Sequence, residues 1–234
     1  RPDLGAALTE NDQVGVLLGH GDGTFGTVIT SDSAGDGPTS LALEDFDGDG
    51  RLDAAVVNWD SRIAILRSQG DGTFLTAGSR TAAGQGSLSL VLADFNADGR
   101  NDLAWANSVT NNVELQLMEA GGTFGDSRTY SAGGIGPRDL AAGDFNADGC
   151  VDLAVANHTY GRNVGVLFGR GDGTLDVALT FPPHGSDPWS LVAKDFNQDG
   201  RDDLLVSSSL YSSAQLAVLT SMSAPAAIVL RSPH

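Results

Sequence analysis

The sequence predicts an all-β fold, a β-propeller of four-stranded blades, on three observations. Its apolar segments are short and either alternate with polar residues or run continuously, and none follows the 3.6-residue period of a helix. Glycine is abundant, with 31 residues in 234, which provides for many tight turns. A nine-residue acidic motif recurs about every 50 residues, a length that fits one four-stranded blade.

The repeat is visible in four segments that align without gaps, at residues 45–53, 94–102, 144–152 and 195–203. Each has the pattern D-F-[DN]-x-D-G-x-x-D or its close variant. A fifth copy retains only its tail at residues 1–4. The closing aspartates, at positions 3, 53, 102, 152 and 203, are separated by 50, 49, 50 and 51 residues, so the repeat covers the whole chain.

Each repeat contains the same succession of short strands. In the first complete repeat, residues 40–43 lead into the acidic loop, 53–57 leave it and 62–66 follow a short turn. A glycine-rich turn then precedes the last strand, and it recurs at 21–25, 70–74, 121–124 and 171–175. Asp-Gly and Gly-Gly supply the positive φ angles that tight hairpins require.

The repeats predict a single domain over residues 1–234. We expect a partial blade at 1–37 and full blades at about 38–86, 87–136, 137–187 and 188–234. The partial blade lacks its inner strand, because the chain begins inside the acidic motif. Two interpretations stay open: a piece of a longer propeller of about six or seven blades, which the truncation within the motif favours, or a five-bladed ring.

The charge restricts the partners. The formal net charge of −17 disfavours nucleic acid and anionic membrane surfaces. No apolar run approaches the roughly 20 residues of a membrane helix, so we expect no membrane insertion. The acidic residues cluster at a fixed spacing, which favours cations as partners. The single cysteine, Cys150, excludes an intrachain disulfide framework.

Oxygen-bearing side chains occupy positions 1, 3, 5 and 9 of each acidic loop, and Gly at position 6 lets the chain turn so that they converge. The carbonyl of position 7 can add a further ligand. Hard oxygen donors without His or Cys side chains favour Ca²⁺ over zinc or copper, so we expect about four calcium ions. Loop 45–53 offers four carboxylates, and the other three loops offer three carboxylates and an Asn.

Other readings of these loops fit less well. EF-hand and dockerin loops need an acidic residue at position 12, where this sequence has Val56, Trp105, Val155 and Val206. Asx turns without a metal are the alternative to calcium. Four clusters of carboxylates that repel one another when empty favour the metal.

At these residues the chain resembles the FG-GAP/VCBS repeat family, whose blades form integrin α-subunit propellers and occur in many bacterial secreted proteins. The acidic motif, the strand at 153–157, the segment 164–169 and the turn at 171–174 carry the resemblance. The final repeat departs from it, with Ser-Met-Ser-Ala-Pro at 221–225 in place of the glycine-rich turn, which indicates a terminal blade. The resemblance implies a secreted or cell-surface protein.

The resemblance also implies calcium ligands at loop positions 1, 3, 5, 7 and 9, between the first and second strands of a blade, with position 7 ligating through its carbonyl. Those residues are Asp45, Asp47, Asp49, Arg51 and Asp53; Asp94, Asn96, Asp98, Arg100 and Asp102; Asp144, Asn146, Asp148, Cys150 and Asp152; and Asp195, Asn197, Asp199, Arg201 and Asp203. Cys150 replaces the commoner Arg, and the site tolerates it because only the carbonyl ligates.

Two tryptophans are candidate ligand-binding residues. Trp59 and Trp189 fall at loops, where an exposed indole stacks on a sugar ring or anchors a protein; filling the wedge between blades is the alternative. Trp105 lies within a strand and is expected between blades. The G-x-G-x-x-G letters at 21–26 precede a strand and recur as a hairpin turn, so they are not a dinucleotide site.

The sequence contains no catalytic motif, and we expect a protein that is not an enzyme. The leading hypothesis is a calcium-stabilised binding module that recognises carbohydrate or protein on a propeller face or in a cleft between blades, since the resembling family works in adhesion and sugar binding. The alternatives are a non-catalytic scaffold domain of a larger secreted enzyme, and a calcium-assisted polysaccharide lyase or hydrolase.

Overall fold

The computed structural model describes residues 3–160, 162–182, 187–210 and 213–219, and the described chain is built almost wholly of antiparallel strands. Five successive sheets follow one another along the chain. The predicted all-β fold with repeated four-stranded sheets is confirmed. The departure expected at 221–225 lies outside the described residues.

Three sheets have four strands in the described residues. The second sheet contains β4 (Pro38–Glu44), β5 (Asp53–Asn58), β6 (Arg62–Ser68) and β7 (Phe74–Thr81). The third contains β8 (Ser87–Ala93), β9 (Asp102–Asn107), β10 (Asn112–Gln116) and β13 (Arg128–Ser131), with a small hairpin of β11 (Met118–Glu119) and β12 (Thr123–Phe124) before its last strand. The fourth contains β14 (Ile135–Gly143), β15 (Asp152–Thr159), β16 (Asn163–Leu167) and β17 (Leu179–Phe181).

The first and last sheets have three strands each in the described residues. The first contains β1 (Leu4–Leu8), β2 (Gln13–Leu17) and β3 (Ile29–Asp32), with a 3₁₀ turn at Thr9–Asn11. The last contains β18 (Asp187–Lys194), β19 (Asp203–Leu210) and β20 (Ser213–Leu219). The described part of the chain has no helix with the length and hydropathy of a membrane-spanning segment.

The core lies in four layers, one between each pair of successive sheets. Every residue of β5 and of β9 is buried, because each of these strands packs on both faces against a neighbouring sheet. Trp105 shows this arrangement: it is fully buried in β9 and packs with Val57 and Ile63 of the preceding sheet. The expected position of Trp105 between blades is therefore what the structure shows.

The first strands of consecutive sheets contact one another, so β4, β8, β14 and β18 lie side by side along the inner edge of the assembly. Each has a register shift against its second strand near its start, between Pro38 and Ser40 in β4 and at the equivalent points of β8, β14 and β18. Each shift is a β-bulge, which turns one side chain away from the regular alternation.

Candidate functional site

The four acidic loops all connect the first strand of a sheet to its second, so they lie at the end of the sheets where the inner strands finish. Position 6 is a glycine with positive φ in every loop, for example +85° at Gly50. Position 4 also has positive φ, and three loops place a non-glycine residue there: Ala97, Ala147 and Gln198. The sequence indicated only the first of these two left-handed turns.

Each loop folds around its own carboxylates. In loop 94–102, Asp94 accepts the backbone N–H groups of Asp98 and Gly99, at 3.1 and 2.8 Å. The side-chain oxygen of Asn96 accepts a hydrogen bond from the backbone N–H of Asp98, and the carboxylate of Asp98 accepts one from the backbone N–H of Arg100. The same bonds recur in loops 144–152 and 195–203. The side chains at positions 1, 3 and 5 are therefore held to the inside of the turn, as a metal site requires.

Loop 45–53 brings together the largest number of carboxylates. Asp45, Asp47 and Asp49 each offer an oxygen, and these atoms lie within 4.8 Å of one another. It is the one such acidic or His/Cys cluster among the described residues. The other loops have an Asn at the position of Asp47, so each has two carboxylates and one amide at loop positions 1, 3 and 5.

The aspartate at position 9 has a structural role that the sequence did not indicate. Asp102 is fully buried and accepts two backbone N–H groups, from Phe95 at 2.9 Å and from Met118 at 2.8 Å. Asp152 makes the equivalent bonds to Phe145 and Gly169. The carboxylate thus fastens its loop to the end of the third strand.

The same bond to the third strand exists in the first two sheets. The carboxylate of Asp53 accepts a hydrogen bond from the backbone N–H of Ser68 at 2.9 Å, and that of Asp3 accepts one from the backbone N–H of Gly19 at 2.8 Å. Asp3 therefore makes the same bond as the closing aspartates of the later repeats. The recurrence of a single Asp at the 50-residue spacing is the signal that could have identified this role.

Burial is the main influence on the charge of these aspartates. Burial, with a smaller contribution from the position 1 and 5 carboxylates and against the lowering effect of the two backbone hydrogen bonds, raises the pKa of Asp102 to about 6 and that of Asp152 to about 7. A bound cation favours the ionised form of such groups. The pKa of the Cys150 thiol is also raised, by desolvation and by Asp148, so the thiol stays protonated and its carbonyl is the candidate ligand.

The residues therefore fit a hard divalent cation. All twenty implied ligand positions lie in the four loops, at one end of the sheets. The side chains of Arg51 and Arg100 pair with the position 5 aspartates, Asp49 and Asp98, which leaves their carbonyls as the candidate ligands. Oxygen donors in flexible turns with this charge suit calcium.

The two candidate tryptophans lie at the opposite end of the sheets. Trp59 is 52% exposed and follows β5, and Trp189 is 43% exposed and lies at the bulge of β18. The expected surface exposure of both is thus present, while Trp105 is fully buried. Trp189 contacts the Arg138 guanidinium, 3.4 Å from the ring centroid, and the edge of His158. Nothing in the sequence pointed to Arg138, because residues about 50 apart in the chain meet there.

Comparison with known proteins identifies the repeat. The family model described as FG-GAP-like repeat matches residues 1–56, 45–105, 94–155 and 144–206. No curated protein sequence matches the chain.

Solved β-propellers resemble the structure. A candidate 6-phosphogluconolactonase from Bacteroides fragilis superposes with a TM-score of 0.69 at 17% identity, over 98% of this chain and 66% of that one. One from Bacteroides uniformis gives 0.67 at 15% identity, over 99% and 67%. A protein from Lactobacillus plantarum gives 0.62 at 16%, over 99% and 67%. The chain spans about two thirds of the length of these structures, and the likeness shows the fold alone.

Proposed function

The chain belongs to the FG-GAP-like repeat family, and from that premise we propose that it is a calcium-stabilised binding module with a carbohydrate or protein ligand. The acidic loops hold the metal at one end of the sheets, and the opposite face, where Trp59 and Trp189 are exposed, meets the ligand. We place the module outside the cell, because solvent-exposed loops of this kind suit the calcium concentrations found there.

The observation that supports the calcium most strongly is the convergence of Asp45, Asp47 and Asp49 within 4.8 Å. Three carboxylates this close repel one another when no metal is present, and that repulsion, which Arg51 and Arg67 offset only in part, destabilises the metal-free fold. Four calcium ions would change the formal charge from −17 to −17 + 8 = −9. Ligand binding of this kind stabilises the folded state by mass action.

The test is a calcium titration by calorimetry together with thermal melting in calcium and in EGTA. We expect about four sites and a melting temperature that falls by at least about 5 °C in EGTA, since each kcal/mol shifts a domain of this size by roughly 2–4 °C. A melting temperature that EGTA leaves unchanged would sink the calcium proposal.

The ligand half of the proposal is tested separately. A glycan array and a panel of extracellular proteins, probed with the calcium-loaded chain, distinguish a binding module from a scaffold domain that binds nothing itself. Activity against acidic polysaccharides tests the enzyme alternative. We expect binding without turnover.

A further inference from the structure

A cavity of about 390 Å³ opens on the face opposite the acidic loops, where the starts of the inner strands meet. All five repeats contribute to its lining. In the four complete repeats the same two positions do so: the bulged residue of the inner strand and the residue after it. The pairs are Thr39 and Ser40, Leu88 and Ser89, Arg138 and Asp139, and Trp189 and Ser190.

The residue at the bulged position differs from repeat to repeat. It holds Thr39, Leu88, Arg138 or Trp189 on the same backbone geometry. Packing therefore does not dictate the side chain at this position. A bulge re-aims a side chain and is frequent beside binding and active sites. The cavity is thus surrounded by a ring of side chains whose residue type the fold does not dictate.

Arg138 is the cation of this ring, and the carboxylate of the adjacent Asp139 acts on it electrostatically. Its guanidinium stacks on Trp189 and forms no hydrogen bond or ion pair with any described residue. The neighbouring Asp139 is already satisfied, by the hydroxyls of Ser89 and Ser190 at 2.8 and 2.6 Å and by two backbone N–H groups. Partial burial lowers the pKa of Arg138, and the Asp139 carboxylate acts against that shift; a ligand anion close to the guanidinium would favour its charged form further.

The hydroxyl groups of Thr9 and Thr39, on the other side of the cavity, can accept hydrogen bonds from a ligand. Thr9 donates its proton to the carbonyl of Pro38 at 2.8 Å, and Thr39 donates to the carbonyl of Ser87 at 2.9 Å. Their oxygen lone pairs remain for O–H donors of a ligand. A simple anion offers no such donors, whereas a sugar ring offers several.

The overall negative charge does not prevent an anion from binding at this end. Six residues of nearly extended chain separate Arg138 from Asp144, where the nearest acidic loop on its strand begins, or roughly 20 Å at about 3.3 Å per residue. That is more than the Debye length of about 8 Å at physiological salt. On the cavity side, Asp187 is paired with Arg162, and the carboxylate of Asp139, which lines the cavity beside Arg138, accepts four hydrogen bonds from neighbouring groups.

From this arrangement we propose that the cavity binds a hexuronate, either free or at the end of a chain. Arg138 pairs with the carboxylate, the exposed part of the Trp189 indole lies against the ring, and Thr9 and Thr39 accept hydrogen bonds from ring hydroxyls. The proposal rests on the proposed function and gives its ligand a chemical class. The volume lies within the roughly 300–1,000 Å³ of small-molecule pockets.

The test is calorimetric titration of the calcium-loaded chain with glucuronate and galacturonate, beside glucose and galactose as neutral matches and acetate as a simple carboxylate. We expect a uronate to bind at least about tenfold more tightly than its neutral sugar and than acetate, because hydrogen bonds between charged groups are the stronger ones. Arg138→Leu should weaken uronate binding by about tenfold or more.

Arg138→Leu is a fair variant because the equivalent bulge already holds Leu88. The matched control is Arg62→Leu, which removes an exposed arginine from the same end of the second sheet, outside the cavity, and should leave binding unchanged. Equal affinity for a uronate and its neutral sugar, affinity for acetate as high as for the uronate, no uronate binding, or full binding by Arg138→Leu would each overturn the proposal.

The melting experiment in EGTA keeps the two proposals separate. Loss of stability in EGTA without uronate binding would overturn the cavity assignment and leave the calcium-stabilised module intact. Uronate binding by a chain that EGTA does not destabilise would support the cavity assignment and contradict the calcium sites.

Discussion

At the scale of single residues, loop 45–53 differs from the next two loops in having an extra carboxylate and a cation that reaches it from the third strand of its sheet. The guanidinium of Arg67 pairs with Asp47, and its Nη1 lies 3.7 Å from Oδ2 of the closing Asp53. The next two repeats have Leu117 and Phe168 at the position of Arg67. Arg67 therefore offsets part of the charge that attracts calcium to this loop.

The Arg67→Leu variant should bind calcium more tightly at loop 45–53. The variant removes a cation that competes for Asp47, and a partly exposed ion pair of this kind contributes up to about 1 kcal/mol, or roughly two- to fivefold in affinity. Calcium titration of the variant beside the unmodified chain measures the change. Arg62→Leu serves again as the control, since its partner Asp60 lies at the other end of the sheet. Unchanged or weaker binding by Arg67→Leu would show that Arg67 does not compete.

At the scale of strands, a buried asparagine lies at or near the end of the second strand of three sheets and packs against a glycine of the preceding connection. The pairs are Asn58 with Gly35, Asn107 with Gly84, and Asn157 with Gly134. The amide of Asn107 donates to Glu114, and the same Glu114 oxygen accepts the N–H of Gly84. These contacts fix the path from the outer strand of one sheet to the inner strand of the next.

Gly84→Ala should destabilise the protein through this contact. A Cβ at residue 84 would lie 2.3 Å from the Nδ2 of Asn107, so the buried hydrogen bonds to Glu114 must shift. Overpacking of this kind costs roughly 1–3 kcal/mol of the free energy of unfolding. Denaturant unfolding in calcium measures it.

Gly78→Ala is the matched control for that substitution. Residue 78 lies in β7, has nothing within 4 Å of an added Cβ and does not have a positive φ. Its unfolding free energy should stay within about 0.5 kcal/mol of the original. Equal stability of the two alanine variants would contradict the steric role of Gly84.

At the scale of the whole molecule, stability depends on contacts between neighbouring repeats. Each of the four core layers joins two successive sheets. The loops are joined in the same way: the N–H of Gly173 in one repeat donates to the carbonyl of Phe95 in the acidic loop of the repeat before it, at 3.0 Å. A disturbance should therefore pass to neighbours first and weaken with distance along the chain.

Asp94→Ala tests this coupling by hydrogen exchange. Loss of the Asp94 carboxylate loosens loop 94–102, so the amide of Gly173 should exchange faster although it lies in the next repeat. The amide of Gly26, bonded to Leu18 within the first sheet, should keep its rate. Faster exchange of both amides to the same extent would show that the repeats unfold together, against the modular picture.

The sequence by itself determined the features that depend on residues close together in the chain. Strand periodicity and glycine turns predicted the all-β fold, and the turn that begins the acidic loop follows from hydrogen bonds around Asp94 that span four and five residues. The calcium ligands and the single domain over 1–234 stay predictions from the same local patterns. Only the tertiary structure revealed that Arg138 stacks on Trp189, that Arg67 pairs with Asp47 and that Gly84 packs against Asn107. Those contacts join residues of different strands or different repeats, and their distances depend on strand register, bulges and the packing of whole sheets, which no local pattern encodes.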